Sequence, residues 1–401
     1  RSFGEDPGLV ANMAAAHVRG IQEYGMLATA KHFPGHGDTG TDSHIELPVI
    51  TVTRARTDTI ELPPYRRAID TGVAAIMTAH IAFPALTGDQ VPATLNPRIL
   101  TGLLRQELGF RGLVVTDAMD MGAIVKNYGN TRASVLALQA GADLLLQPLP
   151  DDVPAIIDAL VKAVESGELG EARIDSSVQR LLHSKARVGL HQQHTVDLAA
   201  IPLKVATPEH LAVADSAAQR SITAVRDRDQ LLPLSTERIL SIVYADDVDP
   251  FAGRTFQRTL SAALPNLRTA SIDRGTSLQV LDSLRASIEP GTVVLFSPFI
   301  RVSAHKAGVA LPPPIAEFAR SINAEHKLVV TAFGSPYVLM QLPELGSYVI
   351  AWGQWDVLQR AAARALLGQA PITGRLPIAI PPLHAVGEGL TIGVRAGVGH
   401  E

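Results

Sequence analysis

The alternation of short apolar segments with amphipathic ones constrains the fold of this chain more than any other feature. In the first half, the apolar segments 26–32, 73–80, 112–117 and 142–147 are typical of strands. The segments around them predict helices at 8–25, 96–109, 131–141, 151–167 and 171–189, and a helical segment at 55–70 that is interrupted by Pro63 and Pro64. Mostly apolar strands separated by helices indicate a parallel sheet that is covered on both faces.

Polar side chains gather where these strands end: His32, Thr78 with His80, Asp117 and Gln147. A (β/α)8 barrel carries its chemistry at the carboxyl ends of its strands. A doubly wound sheet follows a similar rule, so this pattern alone does not choose between the two folds. Because a closed barrel needs about eight strands, a barrel would require further strands upstream of Arg1.

A second alternating set follows residues 191–207, which are predicted to form a linker. Its predicted strands are 239–245, 292–298, 327–334 and 348–353, and its predicted helices are 208–220, 254–263, 313–324 and 355–367. We therefore expect a first domain at 1–190 and a smaller α/β sandwich domain at 208–401.

Composition narrows the classes of function. The formal net charge is −4 at pH 7 and no dense run of lysine or arginine is present, which argues against a nucleic-acid partner. The absence of cysteine excludes disulfides, thiolate metal sites and cysteine nucleophiles. No apolar run reaches about eighteen residues, so we expect no membrane span.

The densest polar stretch is KHFPGHGDTGTDSH, residues 31–44, directly after the first predicted strand. Zinc binding is one interpretation, because His32 and His36 have the i, i+4 spacing of helical ligands and His44 could be a third. Pro34 and its flanking glycines oppose that interpretation, because they break the helix that this spacing requires. A glycine-rich turn with incidental polar residues is a second interpretation.

Acid–base chemistry is the third interpretation and the favoured one. Asp42 and His44 are two residues apart, so their side chains point the same way in an extended loop. A carboxylate partner fixes the tautomer of a histidine and raises its pKa. Such an imidazole is suited to donating a proton near neutral pH.

The strings RSFGEDP, KHFPGHGDT with DSH, IMTAH and VVTDAMDMGAI occur in this order and at fitting spacing. Together they resemble glycoside hydrolase family 3, specifically its NagZ-type β-N-acetylglucosaminidases. SITAVRDRDQLLPL and TGRLPIAIP resemble the sandwich domain of the two-domain members. The resemblance implies a (β/α)8 barrel followed by an α/β sandwich, with the N-terminal part of the barrel missing from this chain.

The resemblance also implies roles for individual residues. Asp117 matches the catalytic nucleophile, with Asp120 as a less favoured competitor three residues on. His44 matches the general acid/base and Asp42 its partner. Arg1, Lys31 and His32 match sugar-contacting positions, with a structural role at the strand end as the alternative for His32. Asp38 is expected to bind the sugar or to brace the loop. His80 is expected to line the site or to pack in the core. His36 is expected to shape the loop rather than to react.

The implied reaction is retaining hydrolysis that needs neither a metal nor an organic cofactor. The implied substrate carries a terminal β-linked N-acetylglucosamine, as in peptidoglycan fragments or chitin-type oligosaccharides. A β-glucosidase, an N-acetylglucosamine phosphorylase and a non-catalytic sugar-binding fragment remain as alternatives. The sequence leaves the compartment open between the bacterial cytoplasm and the periplasm or exterior.

An incomplete barrel would expose strand edges and part of its core. We therefore expect residues 1–401 alone to be unstable or to aggregate. A soluble monomer with a sharp cooperative melting transition would contradict this expectation.

Overall fold

The computed structural model describes residues 3–37, 39, 43, 45–147, 149–234, 238–245, 251–300 and 310–395. The chain divides into two compact units, residues 1–196 and 197–401. The boundary falls inside the segment that the sequence predicts as a linker. No helix in the described ranges is long and apolar enough to cross a membrane.

The first unit contains one parallel sheet, with its strands in the order β1-β2-β3-β4. The strands are β1 (Thr29–Phe33), β2 (Ala75–Thr78), β3 (Leu113–Ala118) and β4 (Leu144–Leu146). The α-helices are Pro7–Glu23, Arg54–Thr59, Pro63–Asp70, Pro84–Thr87, Gly122–Tyr128, Asn130–Ala140, Val153–Glu165 and Glu171–Arg187. The predicted parallel α/β architecture is confirmed, and the four strands of the described part form an arc of a barrel rather than a closed one.

Local chemistry explains where several of these helices begin and end. The Asp6 side chain accepts a hydrogen bond from the Leu9 backbone N–H at 2.6 Å, and so caps the first helix. The predicted segment 55–70 forms two helices that divide at the proline pair as expected, because Pro63 and Pro64 lack the N–H groups that an uninterrupted helix would need. The predicted helix 96–109 is present as Arg98–Glu107, wound more widely, with i→i+5 hydrogen bonding.

A buried carboxylate lies at the amino-terminal ends of β3 and β4, opposite the ends that carry chemistry in such sheets. The Asp143 side chain has no solvent exposure. Its oxygens accept hydrogen bonds from one backbone N–H, one hydroxyl and three guanidinium groups, those of Val114, Ser177, Arg105, Arg173 and Arg180. Burial lowers the pKa of Arg105 to about 10, which leaves this guanidinium charged at neutral pH.

The second unit contains a six-stranded sheet in the order β5-β10-β9-β8-β6-β7. Its strands are β5 (Thr223–Asp227), β6 (Ile239–Ala245), β7 (Arg268–Ile272), β8 (Val293–Ile300), β9 (Lys327–Gly334) and β10 (Ser347–Ile350). Among these six strands, only β5 runs antiparallel to its neighbour. The α-helices are Ile201–Lys204, Pro208–Ser221, Arg254–Ala263, Leu278–Ala286, Pro313–Glu325, Val338–Gln341 and Asp356–Leu366.

The segment 372–392 returns along β5, the edge strand of this sheet. The Leu390 N–H donates to the Ala224 carbonyl at 2.7 Å, and the Gly374 N–H donates to the carbonyl of the residue before β5 at 3.0 Å. The buried Arg226 of β5 donates from Nε to His384 Nε2 at 3.1 Å. Because Nε2 accepts, His384 carries its proton on Nδ1 and donates it to Glu388 Oε2 at 2.7 Å.

Candidate active site

Asp117 lies near the carboxyl end of β3, where the sequence places it. Its Oδ1 accepts a hydrogen bond from the Ala118 backbone N–H at 2.9 Å. Its Oδ2 lies 3.4 Å from His32 Nε2, and the two side chains are 20% and 18% exposed. The site therefore holds a partly accessible carboxylate with one oxygen fixed by the backbone and the other facing an imidazole.

Strand β1 brings His32 to this position. Phe33 is fully buried and packs edge-on against Tyr65, with ring centroids 5.1 Å apart, which anchors the end of the strand in the core. The peptide bonds Lys31–His32 and Phe33–Pro34 are both cis. Lys31, the residue before His32, is exposed.

His36 connects described parts of the polar loop. Its Nδ1 lies 3.0 Å from the Thr39 hydroxyl and its Nε2 lies 3.3 Å from the hydroxyl of the buried Ser43. Its ring stands edge-on to the His32 ring, with centroids 5.7 Å apart. These contacts agree with the loop-shaping role that the sequence suggested for His36.

His80 occupies a different environment from His32. It is only 1% exposed, and both of its ring nitrogens have partners inside the protein. Nδ1 lies 2.8 Å from the Thr94 hydroxyl, and Nε2 lies 2.9 Å from the Ala118 carbonyl oxygen. The Thr94 hydroxyl also lies 2.8 Å from that of Thr78, so a buried polar chain runs from β2 to the residue that follows Asp117.

The other predicted site residues lie outside the described residues: Arg1, Asp38, Asp42 and His44. The structure thus brings together Asp117 and His32, with His80 behind them, and says nothing of the acid/base pair. The described residues contain no cluster of three or more potential metal ligands, and His44, the third ligand of the zinc alternative, is not among them. Asp120 lies in the turn between β3 and the helix Gly122–Tyr128.

Thr94 is the participant that sequence reasoning missed. It lies in the short 3-10 helix Ala93–Leu95 and is fully buried. No motif marks it, and its distance of 14 residues from His80 carries no periodic signal. Only the fold reveals that its hydroxyl serves the candidate site.

The sequence and the fold were compared with known proteins. Residues 1–184 match the family model described as "Glycosyl hydrolase family 3 N terminal domain". The chain is 28% identical over 406 residues to "Beta-N-acetylglucosaminidase/beta-glucosidase" of Cellulomonas fimi, covering 94% of this chain and 70% of that protein. It is 33% identical over 301 residues to "Beta-hexosaminidase A" of Pseudoalteromonas piscicida, covering 70% of this chain but only about half, 49%, of that relative.

A solved structure supports the same assignment across both units. A glycoside hydrolase family 3 β-N-acetylglucosaminidase from a Paenibacillus species superposes with a TM-score of 0.83 at 34% identity. The match covers 94% of this chain and 72% of the solved one. This chain therefore belongs to glycoside hydrolase family 3, a family of enzymes that cleave glycosidic bonds.

Proposed function

We propose that the protein is a retaining β-N-acetylhexosaminidase. It would remove terminal β-linked N-acetylglucosamine from peptidoglycan fragments or chitin-type oligosaccharides. The observation that carries this proposal is Asp117, a partly accessible carboxylate at a strand end with one oxygen fixed by a backbone N–H and the other 3.4 Å from His32. The names of the relatives support the N-acetyl sugar.

In the first step, a carboxylate oxygen of Asp117 forms a bond to the anomeric carbon as the bond to the leaving oxygen breaks. His44, oriented by Asp42, gives its proton to that oxygen. In the second step, His44 takes a proton from water, the water oxygen attacks the anomeric carbon, and Asp117 is released as a carboxylate. Two displacements at one carbon retain its configuration.

The remaining predicted residues would hold the sugar. Arg1 and Lys31 offer N–H donors to hydroxyl and acyl oxygens, and Asp38 offers carboxylate acceptors. His32 lies beside the nucleophile and would contact the sugar at the ring that reacts. In this position it also restricts how the Asp117 carboxylate can turn.

A β-glucosidase activity is the second candidate, because the Cellulomonas fimi relative is named for both activities. The two are separated by comparing an aryl β-N-acetylglucosaminide with the matching aryl β-glucoside on the full-length protein. We expect a higher kcat/KM for the N-acetyl substrate. A preference for the glucoside would overturn the proposed specificity but leave the nucleophile in place.

The catalytic assignment is tested with three variants. Asp117→Asn should lower kcat by about three orders of magnitude or more, because it removes a nucleophile rather than a binding contact. His44→Gln should spare substrates whose leaving group needs no protonation and impair those with a poor leaving group. Asp120→Asn is the matched control, since it removes a neighbouring carboxylate and should change kcat less than about threefold.

The stereochemical outcome gives an independent check. The first product seen by proton NMR should be the β-anomer of the free sugar, before it equilibrates with the α-anomer. Initial release of the α-anomer would contradict a covalent intermediate on Asp117. Turnover that survives Asp117→Asn would exclude this residue as the nucleophile. Turnover abolished by a metal chelator would contradict the metal-free mechanism.

A further inference from the structure

The carboxyl end of β3 is paired with β4 but has no regular pair with β2. The parallel register between β2 and β3 runs from Ala75↔Leu113 to Met77↔Val115. On the other side, the register with β4 shifts after Val115, Ala118 pairs with Leu146, and the Met119 N–H donates to the Leu146 carbonyl at 3.0 Å. The residues that carry the nucleophile therefore extend beyond the last regular pair with β2.

His80 contacts the strand at this point. Its Nε2 lies 2.9 Å from the Ala118 carbonyl oxygen. A carbonyl oxygen can only accept, so Nε2 carries a proton and donates it. The Thr94 hydroxyl donates its single proton to the Ala79 carbonyl oxygen at 3.0 Å, and its oxygen lies 2.8 Å from His80 Nδ1, so Thr94 contacts the other side of the ring. The Thr78 hydroxyl, 2.8 Å from that of Thr94, can complete the chain.

The two peptide groups of Ala118 are thus held in different ways. Its N–H donates to Asp117 Oδ1 at 2.9 Å, and its carbonyl accepts from His80. Rotation of the strand end would break the hydrogen bond to His80, and the Asp117 carboxylate, bound to the N–H of the same residue, would turn with it. The orientation of the Asp117 carboxylate is therefore coupled, through one residue, to a buried ring in the core.

We propose that His80 is a positioning residue for the Asp117 nucleophile and does not bind the sugar with its ring nitrogens. This inference rests on the proposed function, in which Asp117 attacks the anomeric carbon. His80 supplies the hydrogen bond that the β2 backbone does not supply at the end of β3. Thr94, in contact with Nδ1, holds the same ring in place.

The test compares kcat with KM for the full-length protein on an aryl β-N-acetylglucosaminide. His80→Leu removes the hydrogen-bond donor to the Ala118 carbonyl. We expect kcat to fall about 10- to 100-fold and KM to change less than about threefold. The reason is that displacing a nucleophile by about 1 Å slows the reaction without weakening substrate binding. His80→Gln retains an N–H donor and should recover part of the loss. Thr94→Val should lower kcat less than His80→Leu, and Thr94→Ser, which keeps the hydroxyl, should resemble the wild type.

His384→Leu is the matched control. His384 is also a histidine with protein partners on both ring nitrogens, but it belongs to the second unit. We expect it to leave kcat unchanged. A thermal melt of each variant shows that the kinetic comparison is made on folded protein.

A double variant tests whether His80 acts through Asp117. In Asp117→Gly, added azide can replace the carboxylate by forming a carbon–nitrogen bond at the anomeric carbon as the aryloxide leaves. If His80 only orients the carboxylate, adding His80→Leu should lower this azide-rescued rate less than about threefold. A further loss equal to that of the single His80→Leu variant would mean that His80 supports the whole site, and would overturn the inference.

The two proposals fail in different ways. Activity that survives Asp117→Gly without azide would refute the proposed nucleophile. If Asp117 is essential but His80→Leu leaves kcat and KM unchanged, only the positioning role of His80 is refuted. A His80→Leu variant that raises KM with kcat intact would also refute it, because that result would indicate contact with the sugar.

Discussion

Replacing Asp143 with asparagine tests how much one buried carboxylate contributes to the stability of the first unit. The side chain has no solvent exposure, and the three arginines around it are 13%, 24% and 35% exposed. Asp143→Asn would remove the negative charge and would turn an amide N–H₂ group towards guanidinium donors. The change therefore leaves partly buried positive charges without their counter-charge.

The expected magnitude follows from this geometry. Removing one partner of a buried ion pair costs about 3–5 kcal/mol. The arginines keep some contact with water and recover part of their hydration, so we expect a value near the lower limit, about 3 kcal/mol. For a unit of this size, about 2–4 °C is lost per kcal/mol, which gives a fall in Tm of roughly 6–12 °C.

The assay is thermal and urea denaturation of the full-length protein, followed by circular dichroism, with Asp58→Asn as the control. Asp58 also pairs with arginines, but it is 34% exposed. Exposed pairs contribute about 0–1 kcal/mol, so this variant should stay within about 4 °C of the wild type.

Equal losses for Asp143→Asn and Asp58→Asn would refute the reasoning, because burial would then make no difference. An Asp143→Asn variant as stable as the wild type would show that the three arginines disperse their charge without the carboxylate. Either result would mean that Asp143 does not make the large contribution to the stability of the first unit that its burial implies.

Three further predictions concern the second unit. A hydrogen bond from the Ala385 N–H and another from His384 lower the pKa of Glu388 below its ordinary value of 4.5. The ionised carboxylate therefore contributes to stability above pH 4.5, and this contribution is lost as the pH falls through the lower folded-state pKa. In Glu388→Gln, the dependence of Tm on pH between pH 3 and 6 should be weaker than in the wild type. Gly334→Ala should lower the free energy of unfolding by more than about 2 kcal/mol, because φ is +110° and a Cβ would lie 2.2 Å from a carbonyl oxygen of the adjacent strand. Gly291→Ala, with φ +81° and open space around the Cβ, should lower it by only about 1 kcal/mol. Similar urea midpoints for the two variants would contradict this prediction. Thr331→Val should be neutral or stabilise the protein by up to about 1 kcal/mol, because the buried Thr331 hydroxyl has no hydrogen-bond partner in the described part of the protein. A marked loss in Tm would show that this hydroxyl makes a hydrogen bond in solution.

The elements with continuous apolar runs were predictable from sequence. The strands 239–245 and 327–334 and the helix 254–263 were predicted with the limits that the structure gives them. The edge strands β5 and β7 were missed, because TAVRD and RTASI are short and mix polar with apolar residues. An edge strand has fewer buried neighbours, so its sequence carries a weaker pattern.

The candidate site was predictable only in part. The position of Asp117 at a strand end follows from the apolar run before it, and His32 shares that end because parallel strands align. The connection from Thr94 through His80 to Ala118 could not be foreseen, because it depends on how far β3 extends beyond its last regular pair with β2. Local patterns identify candidate site residues better than they identify the buried residues that hold them.

The return of segment 372–392 along β5 has a consequence for biosynthesis. Strand β5 is made early in the second unit, whereas its partners β10 and the returning segment are made much later. At about 5–20 residues per second, the ribosome needs roughly 8 to 33 seconds to pass from β5 to the end of that segment. Until the interval ends, the nascent strand lacks part of its pairing. A nonsense mutation before residue 372 would leave the part of β5 that the returning segment covers permanently exposed. Residues 372–392 thus decide whether the sheet of the second unit is complete or presents an open strand edge to aggregation and proteolysis.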